Sequence, residues 1–340
     1  MARAETAAGQ GMNEQGTSPD LDIYCGSATL ELAQLIADRL GRPLGSRRLD
    51  HFADGELHVK IQESVRGRDI YIVQSTCPPV NEHLMELLVM IDACRRASAD
   101  RITAIIPYYG YARQEKKSTG REPITAKLVA NLLTTAGANR VVALDLHSPA
   151  IQGFFDIEMI HLTATPLLAN YLTSHLDLRE AVLVSPDTGR VKVVEKYANL
   201  LDLPLVVMHK RRSGEQGEEV EVSAIVGSVE GKRPIIVDDL IATGTTISTC
   251  VKALLAVGAV PNMTVVSSHG VFSPPAEDQL ALPAIAQIIV TDSIPLRSAS
   301  LRQKTVVISV APLFAEAVLR LHEGRSISEL FSGWQEEFPV

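Results

Sequence analysis

Short apolar runs alternate along the chain with stretches in which apolar residues recur every three or four positions. Leu21-Asp22-Ile23-Tyr24-Cys25 reads as a strand ending at Gly26. Leu32, Leu35, Ile36 and Leu40 then share one helical face, with Ser27 placed to cap that helix and Gly41 to stop it. After a more polar stretch, Phe52-Ala53-Asp54-Gly55-Glu56, the alternation of Leu57, Val59 and Ile61 predicts a half-buried strand. Buried strands follow at Asp69–Gln74, Arg101–Pro107 and Val141–Leu144. Helices lie between them, on Leu84, Leu87, Leu88, Ile91 and Cys94 and on Leu128, Leu132 and Leu133. The rhythm then repeats: a helix over Leu162–Leu172, strands at Ala181–Ser185, Leu205–Met208 and Ile235–Val237, and helices on Val191, Val194 and Ala198 and on Ile247, Val251, Leu254 and Leu255. Strands near Thr264–Ser268, Ala286–Val290 and Val306–Ile308 and a last helix on Leu313, Ala317, Val318 and Leu321 complete it. Strands alternating with helices predict an α/β fold with parallel sheets, in two successive halves meeting near residues 160–165. The first 19 residues, rich in Ala, Gly, Glu, Gln and Ser, show no apolar period and read as a disordered extension, with Met12 as an alternative start.

The polar clusters fall just behind the predicted strands, where open α/β sheets bind ligands: Asp145–His147, Asp187–Gly189, His209–Arg212 and Asp238–Thr246. The last is the most specific. Ile235-Ile236-Val237 runs into Asp238-Asp239, then into the hydroxyl-rich turn Thr243-Gly244-Thr245-Thr246 and a helix. Exposed N–H groups and the helix dipole at such a turn favour a phosphate, while paired carboxylates accept hydrogen bonds from ribose hydroxyls. A capped strand-to-helix turn would account for one Asp and one Thr but not for the acidic pair.

Other stretches read two ways. Tyr108, Tyr109 and Tyr111 beside Arg113, Lys116 and Lys117 suit either a nucleotide-binding edge or a solvated basic loop on a tyrosine-lined core. His147 serves a metal–phosphate group or caps a turn. His209–Glu219, eleven residues with no apolar side chain, reads as a solvated loop that either stays passive or closes over an anionic substrate.

Composition narrows the function classes. A length of 340 residues favours two domains, and 46% apolar residues supply a substantial core. The net charge of −8 argues against nonspecific nucleic-acid binding. Cys25, Cys77, Cys94 and Cys250 lack metal or disulfide spacing, as in a reduced cytoplasmic protein. No apolar run is long enough for a membrane span, and the N-terminus carries no signal-peptide pattern. Gly231-Lys232 is followed by Arg233 and lacks the first glycine of a P-loop, which disfavours a Walker-type ATPase.

From Leu21 to Phe331 the chain resembles the ribose-phosphate pyrophosphokinases (phosphoribosyl-diphosphate synthetases). The resemblance is carried by Glu63–Gly67, Asn81–Ile91, Tyr111–Gln114, Arg121–Leu128, Asp145–His147, Ile151–Asp156, Ser185–Asp187, Val237–Asp239, Ser309–Pro312 and His322–Gly324. It implies two phosphoribosyltransferase-like α/β domains, residues 20–163 and 164–317, with a segment from about 318 to 340 returning to the first. The implied reaction moves the diphosphoryl group of ATP to O1 of ribose 5-phosphate, releasing AMP, with Mg²⁺ as cofactor.

By motif, Asp238, Asp239, Thr243, Gly244, Thr245 and Thr246 are expected to hold ribose 5-phosphate, and Arg113, Gln114 and His147 to meet ATP. Phe52, Asp54 and Glu56 are expected to reach ATP from a neighbouring subunit of a homo-oligomer, a hexamer of dimers. His147 and Asp187 are expected at the metal, and Lys210 and Arg212 to stabilise the transition state. Ser64, Arg66, Ser98 and Gln152 match positions that bind phosphate or ADP in regulated members. The chain departs from the pattern at Ala242, where many members carry Asp, and at Gly244-Thr245, where they carry a small residue and then Gly. That departure keeps open a non-catalytic regulatory subunit, although such subunits usually have a damaged or lengthened catalytic loop and this one is short. A phosphoribosyltransferase shares the acidic pair and turn, but the N-terminal blocks Arg113-Gln114 and Asp145–His147 argue against it.

Overall fold

The computed structural model describes residues 20–213 and 219–331, the side chains of 210–213, 219–221 and 331 excepted. The extension expected at 1–19 and the end of the returning segment, 332–340, lie outside the described residues.

In the first half, β1 (Leu21–Cys25) leads through α1 (Leu30–Arg39) to an antiparallel hairpin of β2 (Arg47–His51) and β3 (Leu57–Ile61). Then come β4 (Asp69–Val73), α2 (Val80–Arg96), β5 (Arg101–Ile106), α3 (Thr125–Ala136), β6 (Arg140–Leu144) and β7 (Glu158–Leu162). These form a parallel sheet in the order β1-β4-β5-β6-β7.

The second half runs α4 (Thr165–His175), β8 (Ala181–Ser185), α5 (Val191–Leu201), β9 (Leu205–Ser213), β10 (Glu219–Val226), β11 (Arg233–Ile241) and α6 (Thr245–Ala256). It continues with β12 (Met263–Gly270), α7 (Ala276–Leu280), β13 (Ile285–Thr291), α8 (Ala299–Arg302), β14 (Thr305–Ile308) and α9 (Ala311–Glu323). Its sheet is ordered β10-β9-β8-β11-β12-β13-β14 and is parallel except at the β9–β10 edge. Helices cover both sheets, so central strands are buried throughout: β4 at all five positions and β12 at all eight.

Three local expectations are corrected. The helix expected from Leu162 begins at Thr165, because Glu158–Leu162 pairs with β6 as an edge strand. Ser27 does not cap α1, which starts at Leu30. Its hydroxyl donates instead to Glu86 (2.7 and 2.8 Å). The charged stretch after Met208 is not a loop throughout. β9 continues to Ser213 and pairs with β10, Arg212 opposite Val220 and Lys210 opposite Val222. The residues of β9 beyond Met208 are all polar and are satisfied by backbone pairing, so apolar periodicity does not reveal that extension.

The two halves share one core. A single apolar cluster joins Ile23 and Leu144 of the first sheet to Leu183, Val237 and Phe314 of the second half. Helix α9 packs on α1. From α9, His322 Nδ1 donates to Asp69 (2.9 Å), a buried carboxylate on β4 that also accepts from Arg101 Nε (2.8 Å) and the Tyr71 hydroxyl (3.2 Å). Buried polar bonds stitch the seam. Ser268 Oγ donates to Asp145 Oδ2 (2.5 Å), and His269 Nε2 donates to the Leu144 and Asp145 carbonyls (3.2 Å each). His269 Nδ1 accepts from Ser293 Oγ (2.9 Å); burial lowers the ring's pKa and so keeps it neutral for this arrangement.

Candidate active site

The seam brings the end of β6, in the first sheet, against the end of β11, in the second. Leu144 leads into Asp145-Leu146-His147, with Asp145 held at φ 36° by bonds from Ser268 and the Ala164 N–H (3.0 Å). His147 thereby meets the acidic pair at the end of β11, and its Nδ1 lies 2.7 Å from Asp239 Oδ2. A carboxylate only accepts, so Nδ1 carries the proton here. Arg190, at the start of α5, reaches the same group. Its Nε is 3.2 Å from Asp239 Oδ1 and 3.7 Å from Asp238 Oδ1, and its Nη1 donates to the His147 carbonyl (3.0 Å).

The two carboxyls are driven apart. Burial, followed by the charge of Asp239, pushes Asp238 well above the ordinary carboxylate range. Burial acts on Asp239 as well, but the His147 hydrogen bond and the Arg190 charge outweigh it and hold that group at about 2. Asp239 is therefore the fixed anion of the pair.

Beyond the pair the chain turns at Thr243–Gly244 into α6. Gly244 sits at φ 78° and forms the N-cap, and Thr243 and Thr245 place their hydroxyls 3.1 Å apart. A Cβ on Gly244 would lie 3.0 Å from Gln279 Cβ and 3.1 Å from Leu280 Cγ, so α7 presses the turn from behind. The N-terminal N–H groups of α6 face the cleft with the positive end of the helix dipole, as an anion requires.

These groups line a cavity of about 140 Å³ that contains Arg113, His147, Asp187, Asp238, Asp239, Ala242, Thr243, Gly244 and Thr246. Arg113 is also a wall of a second cavity, about 550 Å³, with Asn81, Tyr108, Tyr111 and Gln114. The tyrosine cluster thus divides. Tyr108 and Tyr111 face the second cavity, whereas Tyr109 is buried with its hydroxyl donating to the Ala126 carbonyl (3.0 Å).

Most predicted site residues therefore converge. Thr245 stands beside the cavity rather than in its lining. Phe52, Asp54 and Glu56 lie in the β2–β3 connection, with Phe52 half exposed beside His58, and line neither cavity. Lys210 and Arg212 are on β9, and their side chains fall outside the described residues. Gly67 N–H donates to the Ser98 carbonyl (2.8 Å), so two of the loops matched to regulatory positions are in contact. Sequence reasoning missed Arg190. Its one signal is its place, directly after Asp187-Thr188-Gly189 behind a strand end.

Among the described residues no group of three or more His, Cys, Asp or Glu is placed to hold a metal ion by itself. His147 and Asp187 nevertheless share one cavity wall, and among the described residues Asp187 has its Oδ1 engaged by the Arg190 N–H (3.1 Å). The Asp187 carboxylate fits Mg²⁺, which keeps several waters and takes further oxygens from substrate phosphates.

A family model described as the N-terminal domain of ribose phosphate pyrophosphokinase matches residues 21–137, and one described as the phosphoribosyl synthetase-associated domain matches residues 222–332. The ribose-phosphate pyrophosphokinase of Nostoc sp. is 49% identical over 312 residues, 92% of this chain and 93% of that protein. The protein of the same name from Caldanaerobacter subterraneus is also 49% identical over 312 residues, 92% of this chain and 98% of that one. The crystal structure of phosphoribosylpyrophosphate synthetase from Mycobacterium smegmatis superposes with a TM-score of 0.84 at 44% identity, covering 90% of this chain and 99% of that one.

Proposed function

The chain belongs to the ribose-phosphate pyrophosphokinase family, and from that premise we infer that it transfers the β,γ-diphosphoryl group of ATP to O1 of ribose 5-phosphate, giving 5-phosphoribosyl 1-diphosphate and AMP. The observation that carries this reading within the molecule is the shared wall at Arg113. A sugar-phosphate cavity with an acidic pair and a helix N-terminus opens beside a larger cavity edged by two tyrosines, an arginine and a glutamine.

In this reading the 5-phosphate rests on the N–H groups of the Thr243–Thr246 turn and on its hydroxyls, while Asp238 and Asp239 accept the ribose hydroxyls. None of these contacts needs a carboxylate at position 242, so Ala242 leaves the sugar site competent. ATP occupies the second cavity, its base along Tyr108 and Tyr111 and its phosphates toward Arg113, Gln114 and His147. O1 displaces AMP from the β-phosphorus, a transfer that depends chiefly on positioning and on charge stabilisation. Lys210 and Arg212, on the hairpin of β9 and β10, supply positive charge to the transferring group. His147 and Asp187 would hold Mg²⁺, which when bound neutralises phosphate oxygens.

Phe52, Asp54 and Glu56 line neither cavity of their own chain, which fits their delivery to a neighbour's ATP site in a homo-oligomer, a hexamer of dimers. The four cysteines are buried thiols, as suits the reducing cytoplasm. No helix among the described residues is long and apolar enough to cross a membrane.

The test is chromatography of the nucleotides after incubation with ATP, Mg²⁺ and ribose 5-phosphate. AMP is expected, and only when the sugar phosphate is present. Formation of ADP in its place would make the chain an ordinary kinase.

A further inference from the structure

We propose that Arg190 is a positioning residue that clamps His147, on the ATP side of the cleft, to the acidic pair on the sugar side, and so sets the separation of the two substrates. The proposal rests on the reading of the cleft given above. Three loops meet at this side chain: the end of β6 with His147, the β8–α5 turn with Asp187, and the end of β11 with Asp238 and Asp239. β6 belongs to one sheet and β8 and β11 to the other, so Arg190 is a strut across the boundary between the halves.

The geometry uses the whole guanidinium. Nε faces Asp239 Oδ1 at 3.2 Å and Asp238 Oδ1 at 3.7 Å, while Nη1 donates to the His147 carbonyl at 3.0 Å. Nη2 lies 2.7 Å from Nδ1 and 3.1 Å from Nε2 of the same ring. The lone-pair directions of the two ring nitrogens diverge, so a nitrogen this close to both lies against the ring face. The bond from His147 to Asp239 (2.7 Å) closes a triangle of Arg190, His147 and Asp239.

The strut is itself anchored, because the Arg190 N–H donates to Asp187 Oδ1 at 3.1 Å and its side chain is only 14% exposed. Shielding of this kind strengthens each charge-assisted contact. Only a planar fork with several donors spans a carboxylate, a carbonyl and a ring at once; an ammonium is a point charge. Register matters to the reaction, since reacting atoms must sit about 3–3.5 Å apart and a misplacement of about 1 Å costs about 10²-fold.

Arg190→Ala is therefore expected to lower kcat about 10²-fold, with far smaller changes in KM for either substrate. Its melting temperature should fall, because the buried acidic pair loses a shielded countercharge, while millimolar ethylguanidinium, but not ethylammonium, should restore part of the lost rate. Arg190→Lys keeps the charge without the fork and should stay close to the alanine variant in kcat. It also decides the matter if the alanine variant fails to fold. Full wild-type kcat in Arg190→Lys would show that a point charge suffices and overturn the clamp, as would an unimpaired kcat in Arg190→Ala. A wild-type chain inactive in the same assay overturns the reading of the cleft and the clamp with it, whereas an active wild type beside an unimpaired Arg190→Ala overturns the clamp alone.

Discussion

Replacing Gly244 by alanine tests how the Thr243–Thr246 turn, the proposed sugar-phosphate seat, is built. The residue sits at φ 78°, where a side chain meets backbone strain worth about 1–2 kcal/mol. The added methyl would also stand 3.0 Å from Gln279 Cβ and 3.1 Å from Leu280 Cγ. Neither neighbour yields freely. Gln279 is held by the Ser248 hydroxyl, which donates to its Oε1 at 2.6 Å, and Leu280 is fully buried. Overpacking of this kind costs about 1–3 kcal/mol, so the two effects together come to about 2–5 kcal/mol.

The softest relief is outward movement of the turn, away from α7, which displaces the N–H donors at the start of α6 and raises KM for ribose 5-phosphate. Gly231 is the internal control. It lies in the same half at φ 66° with nothing within 4 Å of where an added Cβ would sit, so Gly231→Ala should show the strain alone, about 1–2 kcal/mol. Scanning calorimetry of both variants, with KM measured for each, separates contact from strain. The reasoning is refuted if Gly244→Ala is as stable as Gly231→Ala and binds the sugar phosphate as the wild type does.

Three further outcomes follow from the same geometry. Burial and the Asp239 charge raise Asp238, and a carboxyl raised in the folded state favours folding in acid and opposes it as pH rises through the folded value. Asp238→Asn should therefore raise the melting temperature at about pH 8, lose most of that gain by about pH 4, and sacrifice activity throughout. Asp69→Asn removes the buried charge that Arg101 and His322 share and turns one of its two acceptor oxygens into a donor, so calorimetry should show a loss of about 3–5 kcal/mol, with earlier proteolysis at α9. Lys210→Ala and Arg212→Ala should each lower kcat by about 10²-fold with little change in KM; a near-normal kcat in both would make the hairpin a bystander.

Much of the architecture is legible in the sequence because buried parallel strands are written as continuous apolar runs. Asp69–Val73 and Ile235–Val237 are found that way, and the acidic pair directly behind the second run falls in the cleft. Asp238, Asp239 and the Thr243–Thr246 turn are legible for a second reason: their chemistry is local, with carboxylates, hydroxyls and a helix N-terminus contiguous in the chain. What escapes is made by tertiary placement. Arg190 resembles any basic residue at a helix start until α5 aims it at groups on β6 and β11. His269 lies inside a fully buried strand and becomes a seam residue only when the Leu144 and Asp145 carbonyls are brought to it. The extension of β9 escapes because its residues beyond Met208 are all polar and it is held by backbone pairing with β10.

The central claim is that this chain, assayed alone, moves a diphosphoryl group to the anomeric oxygen of a pentose phosphate. Phosphorus NMR of the purified chain with ATP, Mg²⁺ and ribose 5-phosphate tests it directly. The account predicts loss of the ATP β and γ resonances, the appearance of a diphosphate coupled to the proton on C1 of the sugar, and AMP in equal amount. A spectrum showing ADP with a singly phosphorylated C1, or free orthophosphate with the sugar unchanged, would contradict it, and so would a spectrum in which nothing changes.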